Sequence, residues 1–296
     1  MTGSLADQPV AEQKALLTRR NFLRGSALAA AGLALYSGEI ARHEIGILTP
    51  NIAIANLPAA FHNFRIAQIS DIHLDEFTEP AFVRRVIGQV NSLAPDLVLI
   101  TGDCVSAGPL GVRFAHRAML HCADILSDLA CPLRFAVMGN HDAVLGAKII
   151  RPILVQAGIP LLVDQHLPIE RGGQRIWLSG INDPNTSVPN LDRAIPANPD
   201  GPVLLMSHGP DYADTLLAHP RGQLVDFMIA GHSHGGQIRL PIVGALCLPL
   251  GGQKYVEGLF RLQHLQLYVN RGIGAVGVPF RLNCPPEITL FTLQRA

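Results

Sequence analysis

The sequence predicts an α/β fold with a parallel sheet component. Two observations carry this reading. Short β-rich runs alternate with longer stretches of helical spacing from about residue 64 onward. The candidate strands of the central block also end in polar clusters, and open α/β sheets place their ligand sites beyond the carboxyl ends of the strands.

Residues 65–69 read as the first strand, and 82–93 as a helix ending before Pro95. Residues 97–100 form the next strand, 113–129 a helix, 134–137 a strand, 148–157 a helix stopped by Gly158, and 176–178 a strand. The first half is therefore βαβαβ. Later apolar runs at 203–206, 227–230, 265–269 and 288–293 are short, bounded by Gly, Pro and His, and read as strands. The Pro- and Gly-rich stretches 182–202 and 241–252 are expected as ordered loops, because apolar residues interrupt them. The apolar run 238–250, broken by Pro241 and Pro249, reads as a core strand plus loop rather than as a lip for an acyl chain. No internal repeat is evident.

The chain has 296 residues, 48% hydrophobic and 16% charged, which is enough apolar material for one large domain. A formal net charge of zero supplies no basic field, so no nucleic-acid partner is expected. The five cysteines, Cys104, Cys122, Cys131, Cys247 and Cys284, show no C-x-x-C spacing and read as buried thiols rather than a disulfide or zinc framework.

The beginning of the chain has a different character. Thr18-Arg19-Arg20-Asn21-Phe22-Leu23-Arg24 precedes a small-residue apolar run over 25–36. That pattern resembles a twin-arginine export signal, with Arg24 where Lys is usual. The run is shorter than the roughly 20 residues that cross a bilayer and fits the apolar region of a signal. The expected organisation is a signal or membrane anchor over 1–40, a linker or N-terminal strand over 41–63, and one catalytic domain over 64–296. The implied partner is the twin-arginine export machinery, and the implied address is the periplasm or cell envelope.

The polar clusters carry the chemistry. They are Ser70-Asp71-Ile72-His73, Thr101-Gly102-Asp103, Gly139-Asn140-His141-Asp142, Ser207-His208-Gly209 and Gly231-His232-Ser233-His234. If each continues its strand, residues i and i+2 face the same way, so Asp71 with His73 and His232 with His234 could chelate from one side. Imidazole with carboxylate favours first-row ions such as Zn, Fe or Mn, and no cysteine joins the set. Seven ligand-capable residues exceed what one tetrahedral ion takes, and a carboxylate such as Asp103 can bridge two ions. No G-x-S-x-G nucleophile elbow is present.

In this order, D-x-H, G-D, G-N-H-D, a later H and G-H-x-H resemble the calcineurin-like metallophosphoesterases over roughly residues 65–237. The resemblance implies a four-layer α/β/β/α sandwich with the site in loops at one sheet edge. It implies two divalent or mixed-valence ions, one held by Asp71, His73, Asp103 and His234, the other by Asp103, Asn140, His208 and His232. His141 would protonate the leaving group, Asp142 would orient it, and a hydroxide made at the ions would attack phosphorus in line. More narrowly, Gly231–Gln237, Arg271-Gly272-Ile273-Gly274 and Pro286-Glu287-Ile288 are similar to a bacterial branch of exported or membrane-associated phosphodiesterases.

The expected function is phosphodiester hydrolysis of a small-molecule or envelope substrate. The alternatives are a phosphomonoesterase or nucleotidase, a pyrophosphohydrolase of a nucleotide-linked lipid precursor, and a protein-binding module that has lost its ligands. Every ligand position is filled here, which disfavours the last. The remaining histidines, His43, His62, His116, His121, His166, His219 and His264, read as ordinary core or surface residues. Asn182-Asp183-Pro184 reads as a turn. Gly235 and Gly236 read equally as a turn or as a close backbone approach to phosphate.

Overall fold

Period-two alternation along the central strands decides the architecture. In the computed structural model, which describes residues 18–106 and 111–296, the first sheet contains β1 (Gly46–Leu48), β2 (Asn51–Ile54), β3 (Arg65–Ile69), β4 (Leu97–Thr101), β5 (Arg134–Val137) and β14 (Glu287–Arg295). Its order is β1-β14-β3-β4-β5, with β2 also paired to β14. The second sheet runs β12 (Gly258–Leu262), β13 (Leu265–Val269), β9 (Phe227–Ala230), β8 (Val203–Met206), β7 (Gln174–Gly180), β6 (Gln165–Arg171). A separate two-residue ladder joins β10 (Arg239–Leu240) to β11 (Gly244–Ala245). Strands β3, β4 and β5 are parallel, as are β7, β8, β9 and β13.

On one face of the first sheet Ile66, Leu97, Leu99 and Phe135 point inward and meet Ile176, Leu178, Leu204, Met206 and Ile229 of the second. The intervening residues Ala67, Ile69, Val98 and Ile100 point outward. They are covered by the apolar faces of α2 (Pro80–Ser92), α3 (Val112–Ser127) and α4 (Ala147–Gln156). Val203, Leu205, Met228 and Val269 line the far face of the second sheet, under α5 (Leu191–Ala194) and α6 (Ala213–Ala218). The order helix, sheet, sheet, helix is the expected four-layer sandwich. Each fully buried Val, Leu or Ile contributes about 1.5–3 kcal/mol of hydrophobic stabilisation.

Polar residues enter the inward pattern near the strand ends. Gln68, fully buried between the sheets, donates to Thr101 Oγ1 and to the Ala230 carbonyl, both at 2.8 Å. It ties β3 and β4 to β9 directly beneath the carboxyl ends of the parallel strands.

Strands β1, β2, β6 and β12 were not individually expected. Four of β6's seven residues, Gln165, His166, Glu170 and Arg171, are charged or polar and one of the seven is buried, so an edge strand such as this carries little hydrophobic signal. The run 238–250 is a correction: it forms the small β10–β11 hairpin and a following loop, not a core strand. Its turn residue Ile242 is fully exposed at φ 70°, and Val243, Leu246 and Leu250 are exposed as well. Cys247 is likewise exposed, whereas the other four thiols are buried as expected.

α1 (Arg19–Leu35) opens on the predicted export motif, with Thr18 Oγ1 capping the Asn21 amide, and none of its residues is buried. Residues 1–17 of that predicted segment lie outside the described residues. The helix runs into a turn over Tyr36–Ile40, where Gly38 rests on the Phe280 ring and the Arg281 amide donates to the Ser37 carbonyl at 3.0 Å. Among the described residues, no helix is long and apolar enough to cross a membrane.

Candidate metal centre

The parallel strands deliver their polar clusters to one place, in loops beyond the carboxyl ends of β3, β4, β5, β8 and β9. They do not do so by continuing as strands. Asp71, His73, Asp103, His232 and His234 all adopt left-handed backbone conformations, with φ between 47° and 72°. The i, i+2 strand geometry expected from spacing is therefore replaced by tight loops. Such residues cost of order 1–3 kcal/mol each and persist where surrounding structure over-determines them. Here the clamps are visible: Asp71 and His73 amides donate to the Gly102 and Asp103 carbonyls at 3.0 and 3.1 Å. From the other side, Ile273 and Gly274 amides donate to the Ser70 and Asp71 carbonyls at 2.9 and 2.7 Å.

Two glycines permit the approach. A Cβ at Gly139 would lie 2.1 Å from Asp103 Oδ1, and one at Gly231 would lie 2.4 Å from Asp71 Oδ2. Either substitution would push a carboxylate out of the centre.

The donors form overlapping groups. Asp71, His73 and His234 gather their ligand atoms within 4.8 Å, and so do Asp103, His208 and His232. Asp103 links the two, its Oδ2 lying 3.6 Å from His73 Nε2 and 3.1 Å from His208 Nε2. Asn140 Oδ1 lies 3.2 Å from His208 Nε2. His141 is half-buried, its ring edge-on to that of His73 at 4.8 Å. All seven residues expected as ligands are thus brought together.

The hydrogen bonds around the rings fix which nitrogens are bare. His208 Nδ1 faces the Thr101 carbonyl at 2.8 Å and His232 Nε2 faces the Leu250 carbonyl at 2.9 Å, so both of those nitrogens are donors. Were a cation to take the place of a ring proton, His208 Nε2 and His232 Nδ1, 3.1 Å apart and beside Asp103 and Asn140, would be the nitrogens that meet it. His73 Nδ1 is paired with Ser106 Oγ at 2.9 Å, leaving its Nε2 to face His234 Nε2 at 3.1 Å. Carboxylates and imidazoles crowded at this spacing make a donor set that suits cations among them. The donor set therefore fits a centre of two metal ions.

Electrostatics follow the same logic. Burial, then the charges of His234 and His141, hold the His73 imidazole well below its ordinary value, even against the pull of Asp103. Burial and the nearby Arg281 do the same to His234, and burial and His208 lower His232. Burial alone would raise Asp103, but His208 outweighs it and holds the carboxyl far below the usual range. Burial opposes charge on His208 as well, yet Asp103 and Asp71 push it up to about 10. Positive charge is thus favoured beside the linking carboxylate.

Asp142, expected to orient His141, has both carboxylate oxygens committed to backbone amides. Oδ1 accepts from Cys104 at 3.0 Å and Oδ2 from Gly139 at 3.1 Å. It ties the loop carrying Asp103 to the loop carrying Asn140 and His141. Burial and the neighbouring Asp103 push its carboxyl up to about 7.

Several supporting residues carry no sequence signal. Ser106 and the carbonyls of Thr101 and Leu250 set the imidazole tautomers. Arg281 is fully buried, donates to four backbone carbonyls, and brings Nη2 to 3.4 Å from His234 Nδ1. The 271–274 and 286–288 segments stand out in sequence, and the structure shows their work. Glu287 accepts from Tyr268 Oη, Thr289 Oγ1 and Arg271 Nε at 2.6–2.8 Å, bracing the loop that clamps Asp71.

Above the centre opens a cavity of about 430 Å³. Asp103, Asn140, His141, His232 and His234 form its floor, and Ile238, Leu246, Pro249, Val276 and Val278 stand among its walls.

Comparison with known proteins agrees with this geometry. The family model of calcineurin-like phosphoesterases matches residues 64–236, which contain every residue of the floor. Phosphodiesterase YaeI of Escherichia coli is 31% identical, over 94% of this chain and 100% of its own length. The uncharacterized metallophosphoesterase YkuE of Bacillus subtilis is 30% identical, over 94% and 98%. UDP-2,3-diacylglucosamine pyrophosphatase LpxG of Chlamydia trachomatis is 28% identical, over 79% and 86%. The chain belongs to the calcineurin-like phosphoesterase family and is a phosphoester hydrolase with candidate metal-binding groups of residues.

Proposed function

We propose that this hydrolase is a phosphodiesterase with a binuclear centre. One ion would be held by Asp71, His73, Asp103 and His234, the other by Asp103, Asn140, His208 and His232, with Mn, Fe or Zn suited to this nitrogen and oxygen donor set. Such ions would lower the pKa of water toward neutrality and neutralise charge growing on the phosphoryl oxygens. The protein supplies the rest. The loop clamps hold Asp103 between the two donor groups, its Oδ1 further fixed by the His141 amide at 2.9 Å. His141, at the cavity floor, is placed to give a proton to the leaving oxygen. Asp142 keeps the loops of Asp103 and His141 in register.

The observation favouring a diester is the cavity lining. None of the residues lining it is Lys or Arg, so no such side chain meets the second negative charge of a monoester, while its walls can accept a second ester substituent. The likeness to phosphodiesterase YaeI supports the same reading. Paired kinetics with bis-p-nitrophenyl phosphate and p-nitrophenyl phosphate test it. The expected result is a higher kcat/KM for the diester, and a clear preference for the monoester would overturn it.

We further infer that the segment around Arg19 and Arg20 engages the twin-arginine export machinery and carries the enzyme to the cell envelope, where its phosphoester substrate would lie. The motif begins a helix with no buried side chain, open to a binding partner. Replacing both arginines by lysine should leave the protein in the cytoplasm on fractionation, and unchanged partitioning would contradict the inference.

A further inference from the structure

The cavity over the metal centre is larger and more apolar than a phosphoryl group needs. Its floor is made of the carboxylate and imidazole groups already described. Its walls carry Ile238, Leu246, Val276 and Val278, from the β10–β11 region on one side and the 276–278 loop on the other. The two sides are held together by Gln237, whose Nε2 donates to the Val276 and Val278 carbonyls at 3.2 and 3.1 Å and whose Oε1 accepts from the Val276 amide at 2.9 Å. The volume, about 430 Å³, lies within the roughly 300–1,000 Å³ usual for small-molecule sites, which are lined mainly by apolar groups with a few fixed polar ones.

The mouth is apolar too. Leu246 and Val278 are 56% and 42% exposed, and on the hairpin and loop that carry Leu246, Ile242, Val243 and Leu250 are exposed as well. Apolar groups gathered on a surface in this way mark a binding region. What occupies the walls must be continuous with the phosphoester on the floor, because one cavity contains both.

Building on the phosphodiesterase reading, we propose that the Ile238, Leu246, Val276 and Val278 walls form a subsite for the hydrocarbon substituent of an amphiphilic phosphodiester. The phosphoryl group rests over Asp103 and the histidines, one ester oxygen faces His141, and the aliphatic chain of the other substituent runs along the apolar walls. Hydrolysis then adds water across the bond from phosphorus to the leaving oxygen, giving an alcohol and an alkyl phosphate monoester. The chain is bound through the remaining ester and adds affinity in proportion to its buried length.

The test is a homologous series of p-nitrophenyl alkyl phosphates, from methyl to hexyl, hydrolysed by the metal-loaded full chain. Burying each methylene is worth up to about 0.8 kcal/mol, so kcat/KM should rise roughly two- to fourfold per carbon. The double variant Leu246→Ser, Val278→Ser changes two exposed side chains and should fold normally; it should cut the hexyl-to-methyl ratio by about tenfold or more. Val188→Ser, an exposed apolar residue outside the cavity lining, should leave the ratio unchanged. Turnover with a flat or falling chain-length profile, or a ratio insensitive to the double variant, would overturn the subsite while leaving the diesterase reading intact. Absence of turnover for every ester would contradict the diesterase reading instead. Calorimetric binding of methyl and hexyl phosphate to the same protein then decides the subsite alone, with equal affinities overturning it and tighter hexyl binding supporting it.

Discussion

The floor and the rim of the cavity are built by opposite rules. On the floor, buried carboxylates and imidazoles are each pinned by backbone or side-chain hydrogen bonds, in left-handed loops that only dense clamping can hold. At the rim, the side chains of Ile242, Val243, Leu246 and Leu250 stand exposed on a short hairpin and its following loop, held through backbone bonds such as the two-residue β10–β11 ladder and the Leu250 carbonyl facing His232. The contrast separates two jobs. Chemistry at phosphorus demands atoms held within a fraction of an ångström, whereas acceptance of a substituent demands surface and tolerates movement. Changes on the floor should therefore act on rate and metal content, and changes at the rim on substrate choice.

Substitutions can sharpen that contrast. The largest kinetic effect short of losing a metal ligand is expected from His141→Ala, which should lower kcat by about 10²–10⁴ for diesters with poor leaving groups. The loss should shrink for p-nitrophenyl esters, whose phenolate departs without a proton, and an equal loss for both would deny His141 the acid role. Ser106→Ala removes the partner of His73 Nδ1 and should weaken metal binding about 10–100-fold, read by competition with a chelating dye. Gln68→Leu removes two hydrogen bonds that join the sheets and should lower stability by about 1–3 kcal/mol in denaturant unfolding. The lower end is expected, because Gln68 Oε1 finds no partner among the described residues and leucine removes that buried acceptor. Ile242→Ser, at the rim, should change stability by no more than about 0.5 kcal/mol. A larger loss would mean that the hairpin is packed as tightly as the floor.

The same contrast explains what the sequence disclosed. The central strands β3, β4, β5, β8 and β9 are legible because every one of their apolar positions is buried from both sides, which writes a dense run such as Leu97–Thr101. The floor is legible because its ligand types are chemically constrained and follow those strands in order. Edge strands β6 and β12 are not, since one face of each meets solvent and polar residues serve equally well there. The hairpin was misread for the converse reason: an apolar run such as 238–250 looks the same whether its burial comes from the protein or is absent altogether. Nor could spacing show the left-handed turns at Asp71 and His232, because D-x-H and H-x-H fit strand alternation as well as a loop. Tautomer-setting partners such as the Leu250 carbonyl are backbone atoms, invisible to any reading of residue types.

The most direct test of a two-ion centre joined through Asp103 is a metal count by elemental mass spectrometry on the purified chain and on Asp103→Asn, paired with diester hydrolysis. Asparagine keeps the shape of the linking side chain but removes the charge shared by both donor groups. Close to two ions per chain in the wild type, with ion loss and activity near background in the variant, is the predicted result. A wild type that takes up no Mn, Fe or Zn, or a variant that keeps both ions and full activity, would contradict the account.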